Sequence, residues 1–165
     1  MVNAGDQVGL SYTATGTPGA QACGGGMVFV PDVSGLYVLG GYAGTTTPTT
    51  ATDRFSALSA SNQSSPTTED ELVTRPVQAS TIKNLYVLLS GATGSGSVLA
   101  VTLNKNTVAS ALTCTMTNAA TCNLTTDVTV VDDDLLDTVY HHTGSAGTAR
   151  LPNVSYSATF TGTFP

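Results

Sequence analysis

With 165 residues, 41% of them hydrophobic and only 10% charged, the chain can bury a sizeable single-domain core, yet its charge content lies far below the ~25% of an average soluble domain. Its net charge is −6, and its five cations, Arg54, Arg75, Lys83, Lys105 and Arg150, are scattered singly, which argues against a nucleic-acid partner or an anionic membrane, both of which need clustered positive charge. The polar surface must therefore come from Thr, Ser, Asn and Gly. Thr suits a pleated sheet, and the Lys and Glu of helix surfaces are nearly absent.

Along the chain, Met1-Val2-Asn3-Ala4-Gly5-Asp6 has neither the basic start nor the apolar run of a signal peptide, and no stretch reaches the ~18 apolar residues of a membrane span. Synthesis in a cytoplasm is expected, or arrival elsewhere inside an assembly or by another route. Residues 1–52 read as short strands among Gly/Thr-rich loops. Residues 8–13 alternate, residues 14–25 form a long connection, and residues 27–30 and 36–39 are apolar runs bounded by Pro31-Asp32 and Gly40-Gly41. Residues 43–52 are a polar loop. Residues 53–58 hold the one helical candidate, a single turn capped by Asp53. Another loop covers residues 64–71, and Pro76 suits an edge position.

From residue 80 onward the strand signal is strong. Residues 81–89, 98–104, 108–116, 122–131, 135–141 and 154–164 read as strands separated by Gly94-Ser95-Gly96, Lys105-Asn106-Thr107 and similar turns. Leu99, Val101 and Leu103 alternate with Val98, Ala100, Thr102 and Asn104, which gives one apolar face. The whole predicts an antiparallel, all-β sandwich of roughly nine to eleven short strands with little or no helix. Residues 53–165 form its core, and residues 1–52 are a possible contact arm within what is one domain overall.

Catalytic signatures are missing. There is no G-x-S-x-G elbow, no phosphate loop and no dinucleotide fingerprint, and the two glutamates, Glu69 and Glu71, lie in a loop. No enzyme activity and no cofactor are expected. Asp132, Asp133, Asp134 and Asp137 are the densest charge cluster. They could offer oxygen ligands to calcium, but they lack the central Gly and closing Glu of an EF-hand loop, and a solvated turn explains them more simply. His141 and His142 fall on opposite faces of a strand, the wrong geometry for holding one metal. Cys114 and Cys122 flank a short loop centred on Asn118. They read either as a cross-strand disulfide in a hairpin or as two small buried thiols, with Cys23 left over. Three N-x-S/T sequons, at Asn62, Asn123 and Asn153, are expected by chance in so Thr-rich a chain.

A resemblance runs through residues 67–140. Thr67-Thr68-Glu69-Asp70-Glu71-Leu72-Val73 leads to Arg75-Pro76-Val77 and then to Ser80-Thr81-Ile82-Lys83-Asn84-Leu85-Tyr86-Val87. Gly94-Ser95-Gly96-Ser97 precedes Val101-Thr102-Leu103-Asn104-Lys105-Asn106, followed by Leu112-Thr113-Cys114-Thr115 and Val128-Thr129-Val130-Val131-Asp132-Asp133-Asp134-Leu135-Leu136. This order resembles the jelly-roll-like β-sandwich domains of tailed-phage virion and head-decoration proteins. Their usual run is a T-I-x-N-L-x-V strand, a Gly-rich turn, a T-L-x-K-N-G hairpin and a V-x-A-G-D-L-L turn. Thr107 stands where that pattern has Gly, and Asp132-Asp133 where it has Ala-Gly.

The resemblance implies a homotrimer on the outer capsid surface of a virion, synthesised in the host cytoplasm and with the major capsid protein as partner, or a domain that presents a face to host or environment; it supplies no catalytic residues. A Thr/Ser/Gly surface fits that role, because interface cores are depleted in charge and because oligomer packing covers strand edges. Val8, Leu10, Tyr12, Met27, Val28, Phe29 and Val30 are the candidates for contact with the shell or a neighbouring subunit. The alternative is a carbohydrate- or receptor-binding module of a fibre or cell-surface protein. Against it stand the absence of Trp and the position of all six tyrosines in or beside strand patterns, where they are expected in the core.

Overall fold

The computed structural model describes residues 15–16, 36–42, 52–58, 67–68, 73–76, 78–144 and 152–160. The chain divides into two compact units, Met1–Val30 and Pro31–Pro165, and of the first only Thr15 and Gly16 are described. The strands expected at residues 8–13 and 27–30, and with them Val8, Leu10, Tyr12, Met27, Val28, Phe29 and Val30, lie outside the described residues.

Pro31–Pro165 is all-β. Nine strands are described: β1 (Leu36–Tyr42), β2 (Arg54–Ser56), β3 (Ser80–Leu89), β4 (Ser97–Lys105), β5 (Val108–Thr117), β6 (Thr121–Leu124), β7 (Val128–Val130), β8 (Leu136–Gly144) and β9 (Pro152–Phe160). They form a five-stranded sheet, in the order β1-β9-β3-β6 with β7 also beside β3, and a four-stranded sheet, β2-β8-β4-β5. Every pairing is antiparallel. Taken as one interrupted strand, β6 and β7 pair with β3, while β1 pairs with β9, β2 with β8 and β4 with β5. These four nested pairs are the winding of a jelly roll.

Several local expectations give way to this winding. Residues 54–56 are not a helical turn: they pair with residues 138–140 of β8, and Phe55, Ser56 and Leu58 are buried. Burial against a neighbouring strand overrides a weak capping signal. The single strand expected at residues 122–131 is two, interrupted at residues 125–127, beside the point where β3 is itself irregular. The first strand runs on through Gly40-Gly41, because β9 supplies partners along its whole length.

The irregularity in β3 is a one-residue bulge. Lys83 faces Ser157 and Tyr86 faces Ser155, so Asn84 and Leu85 share the space opposite Tyr156. Asn84 sits at φ 55°, a left-handed conformation that Asn tolerates, and its Nδ2 donates to Ser157 Oγ at 2.7 Å. The bulge shifts the alternation. Ser80 and Ile82 point inward before it, and Leu85, Val87 and Leu89 after it.

The core lies between the sheets. Ile82, Leu85, Val87, Val154 and Tyr156 from one meet Leu99, Val101, Leu103, Leu112, Met116 and Tyr140 from the other. Each fully buried aliphatic side chain contributes ~1.5–3 kcal/mol. The two buried phenols are satisfied: Tyr156 OH pairs with Thr138 Oγ1 across the sheets at 2.9 Å, and Tyr140 OH with Ser56 Oγ at 2.8 Å. Burial pushes both phenols above the usual tyrosine range.

The β5–β6 connection leaves the second sheet for the first. Cys114 lies opposite Val101 of β4 and Cys122 opposite Val87 of β3, and their sulfurs are joined, with Cα atoms 5.9 Å apart. Strands β5 and β6 do not form the hairpin that the cross-strand reading of the two cysteines required. Ala120 O accepts from Leu89 N and Ala119 O from Thr93 N, at 2.8 and 3.2 Å, and this draws the connection toward the end of β3. The bond therefore ties one sheet to the other.

Candidate functional site

The acidic cluster resolves into residues with separate tasks. Asn106 and Thr107 both have positive φ, 53° and 65°, between the paired residues Lys105 and Val108. This is the two-residue hairpin turn that favours Asn-Gly. The β7–β8 turn has Asp133 at φ 67°. Asp134 joins the two turns. Its Oδ1 accepts from Asn106 Nδ2 at 2.6 Å, and its Oδ2 accepts from Val131 N at 2.8 Å and pairs with Lys105 Nζ at 2.8 Å. Asn106 also accepts from Leu135 N through Oδ1 and donates its own N–H to Leu135 O, both at 2.8 Å.

Burial opposes the Asp134 charge, but the Lys105 ammonium, the Val131 N–H and the Asn106 amide outweigh it and hold the carboxyl below its usual range. The carboxylate is thus committed to protein donors. Asp132 and Asp133 are exposed on the turn, and Asp137 is buried within β8. Among the described residues no three His, Cys, Asp or Glu side chains converge on a common point that could hold a metal ion.

The histidines separate as their adjacency requires. His141 is exposed, and its Nδ1 pairs with Asp53 Oδ1. His142 is buried, its Nε2 2.5 Å from Ser97 Oγ. That serine–histidine pair has the spacing of a nucleophile and base. Both residues are nonetheless closed off from solvent, and His142 Nδ1 has no hydrogen-bond partner to orient the ring. The pair closes the core where β4 meets the end of β8. There Gly144, at φ 93°, lies so close to the Gly96 carbonyl that any side chain would collide with it.

A cleft of about 190 Å³ opens at the end of the sandwich where Thr74 bridges to Leu136. Leu39, Leu58, Pro76, Ile82, Leu136 and Ala158 line it, with Thr74, Arg75 and Ser80 at the polar positions. Among the described residues that line it there is no carboxylate, histidine or thiol, and the contact they offer is mainly apolar.

The outward faces of the sheets carry more information. On the second sheet the register aligns three rows: Thr117, Val98 and Thr143; Thr115, Ala100 and His141; Thr113, Thr102 and Val139. No Lys, Arg, Asp or Glu occurs in them. On the first sheet Tyr86 is half-buried. It faces Asn123 on one side and Ser155 on the other, so it points away from the core, contrary to expectation. The bulge at Asn84 sets this direction, and single-residue alternation cannot reveal it.

No protein-family model and no curated protein matches the chain.

Proposed function

We propose that the chain is a non-catalytic structural protein of a virion, decorating a capsid by binding the outer surface of the major capsid protein as an oligomer. The observation that carries the reading is where the resemblance falls on the backbone. The Asn of the T-I-x-N-L-x-V pattern is Asn84 at the β3 bulge, and the two positions where that pattern has Gly, Thr107 and Asp133, are both left-handed. Those are the positions where a Gly or Asn requirement has a physical cause. A jelly roll is also a frequent fold of capsid proteins, although fold alone assigns no function. The threonine-rich rows of the second sheet, apart from the Asp53–His141 pair at one side, add a surface that a partner can cover with little desolvation cost.

The test is addition of purified protein to expanded capsids that lack it. The expected outcome is saturable co-sedimentation together with a higher temperature of capsid disruption. If neither is seen, the reading is rejected.

A second reading, a carbohydrate- or receptor-binding module, is favoured by one observation. Tyr86 stands on the outer face of a sheet beside Asn123 and Ser155, and such an aromatic with polar neighbours can stack on a sugar ring. A glycan array separates the two: decoration predicts a silent array.

A further inference from the structure

We infer that β5 is a self-association edge, and that a second copy of this chain pairs with it antiparallel about a two-fold axis through Thr115. Among the described residues the strand lies at the end of the second sheet, and it is ten residues long. It contains no charged residue and no proline, and Val108 at its start is 66% exposed. Natural edges are usually guarded by lysine, proline or brevity. Of the other edge strands described, β2, β6 and β7 have three or four residues, and β1 is weakened by Gly40-Gly41.

A local irregularity limits which part of β5 can pair. The β4–β5 register slips between Thr102 and Asn104, where Ser110 Oγ accepts from Leu112 N and Ser110 O from Thr113 Oγ1, both at 3.2 Å. Beyond it, residues 113–117 run in unbroken register with β4. Thr113, Thr115 and Thr117 point outward, and Cys114 and Met116 inward.

The occupant follows from charge and symmetry. In a chain of net charge −6, two copies approach most easily along an edge that carries none. Identical antiparallel strands that keep outward residues opposite outward residues are related by a two-fold through a single residue. The middle of the regular stretch is Thr115. This register sets Thr115 opposite its own copy and Thr113 opposite Thr117, and threonine pairs of this kind support a sheet. Cys114 then faces Met116 on the inner side. The threonine-rich rows of both copies become one continuous surface. The contact is isologous, a two-fold in place of the three-fold that the resemblance implies, and its short pairing makes it reversible.

Sedimentation of the purified full chain, without any capsid, tests this independently of the decoration reading. The expected result is a concentration-dependent rise from monomer to dimer. Thr115→Lys or Thr115→Glu alone should weaken pairing on the order of tenfold or more, because like charges then meet at the axis. Mixing the two variants should restore it, which also shows that both are folded. A monomer at every concentration, a three-fold assembly, or association unaffected by Thr115→Lys overturns the inference.

Discussion

Thr107 and Asp133 occupy left-handed backbone, at φ 65° and 67°, and neither is glycine. For an L residue this conformation costs ~1–2 kcal/mol, and a β-branched side chain suffers most. Both side chains are exposed, so little contact is lost on removing them. Thr107→Gly is therefore expected to raise unfolding stability by about 1 kcal/mol, after allowance for the greater freedom of glycine in the unfolded chain. Asp133→Gly should give a smaller gain. Urea denaturation measures both, and a fall in stability for Thr107→Gly would contradict the turn geometry. The two turn positions were visible in the sequence as departures from a pattern. Their strain was not, because φ depends on how the flanking strands are paired.

At the scale of elements, the bond between Cys114 and Cys122 encloses a short loop, with a sequence separation of 8, yet it joins two sheets. Replacing both with Ser is expected to cost about 2–3 kcal/mol, most of it through a freer unfolded chain. Mass spectrometry of the unreduced protein should find both sulfurs protected from alkylation, and simultaneous modification of both would reject the bond. The spacing of the two cysteines made their proximity legible but not the sheets they join. Strands β4 and β5 were readable because a clean alternation and a tight turn are local signals. Strand β2 was not: three residues carry no periodicity, and only β8 makes them a strand.

For the whole molecule, Asp134 connects the β4–β5 hairpin to the β7–β8 crossing, and its ionisation is coupled to folding. Its folded pKa lies below the unfolded value of about 3.9. The stabilisation is therefore complete above that value and is lost as pH falls through the folded one. Thermal unfolding should show the melting temperature dropping below about pH 4, and Asp134→Asn should flatten that drop while lowering stability near neutrality. An unchanged acid limb in the variant would remove Asp134 from this role. By itself the sequence determined an all-β, charge-poor chain with alternating strands after residue 80 and without clustered cations, since composition and short-range period act within a few residues. The tertiary structure alone decided the nesting of strands into a jelly roll, the outward turn of Tyr86, the span of the disulfide and the partners of Asp134. Each of these depends on residues distant in the chain, as with Asn84 and Ser157, 73 positions apart, which meet only once the sheets have formed.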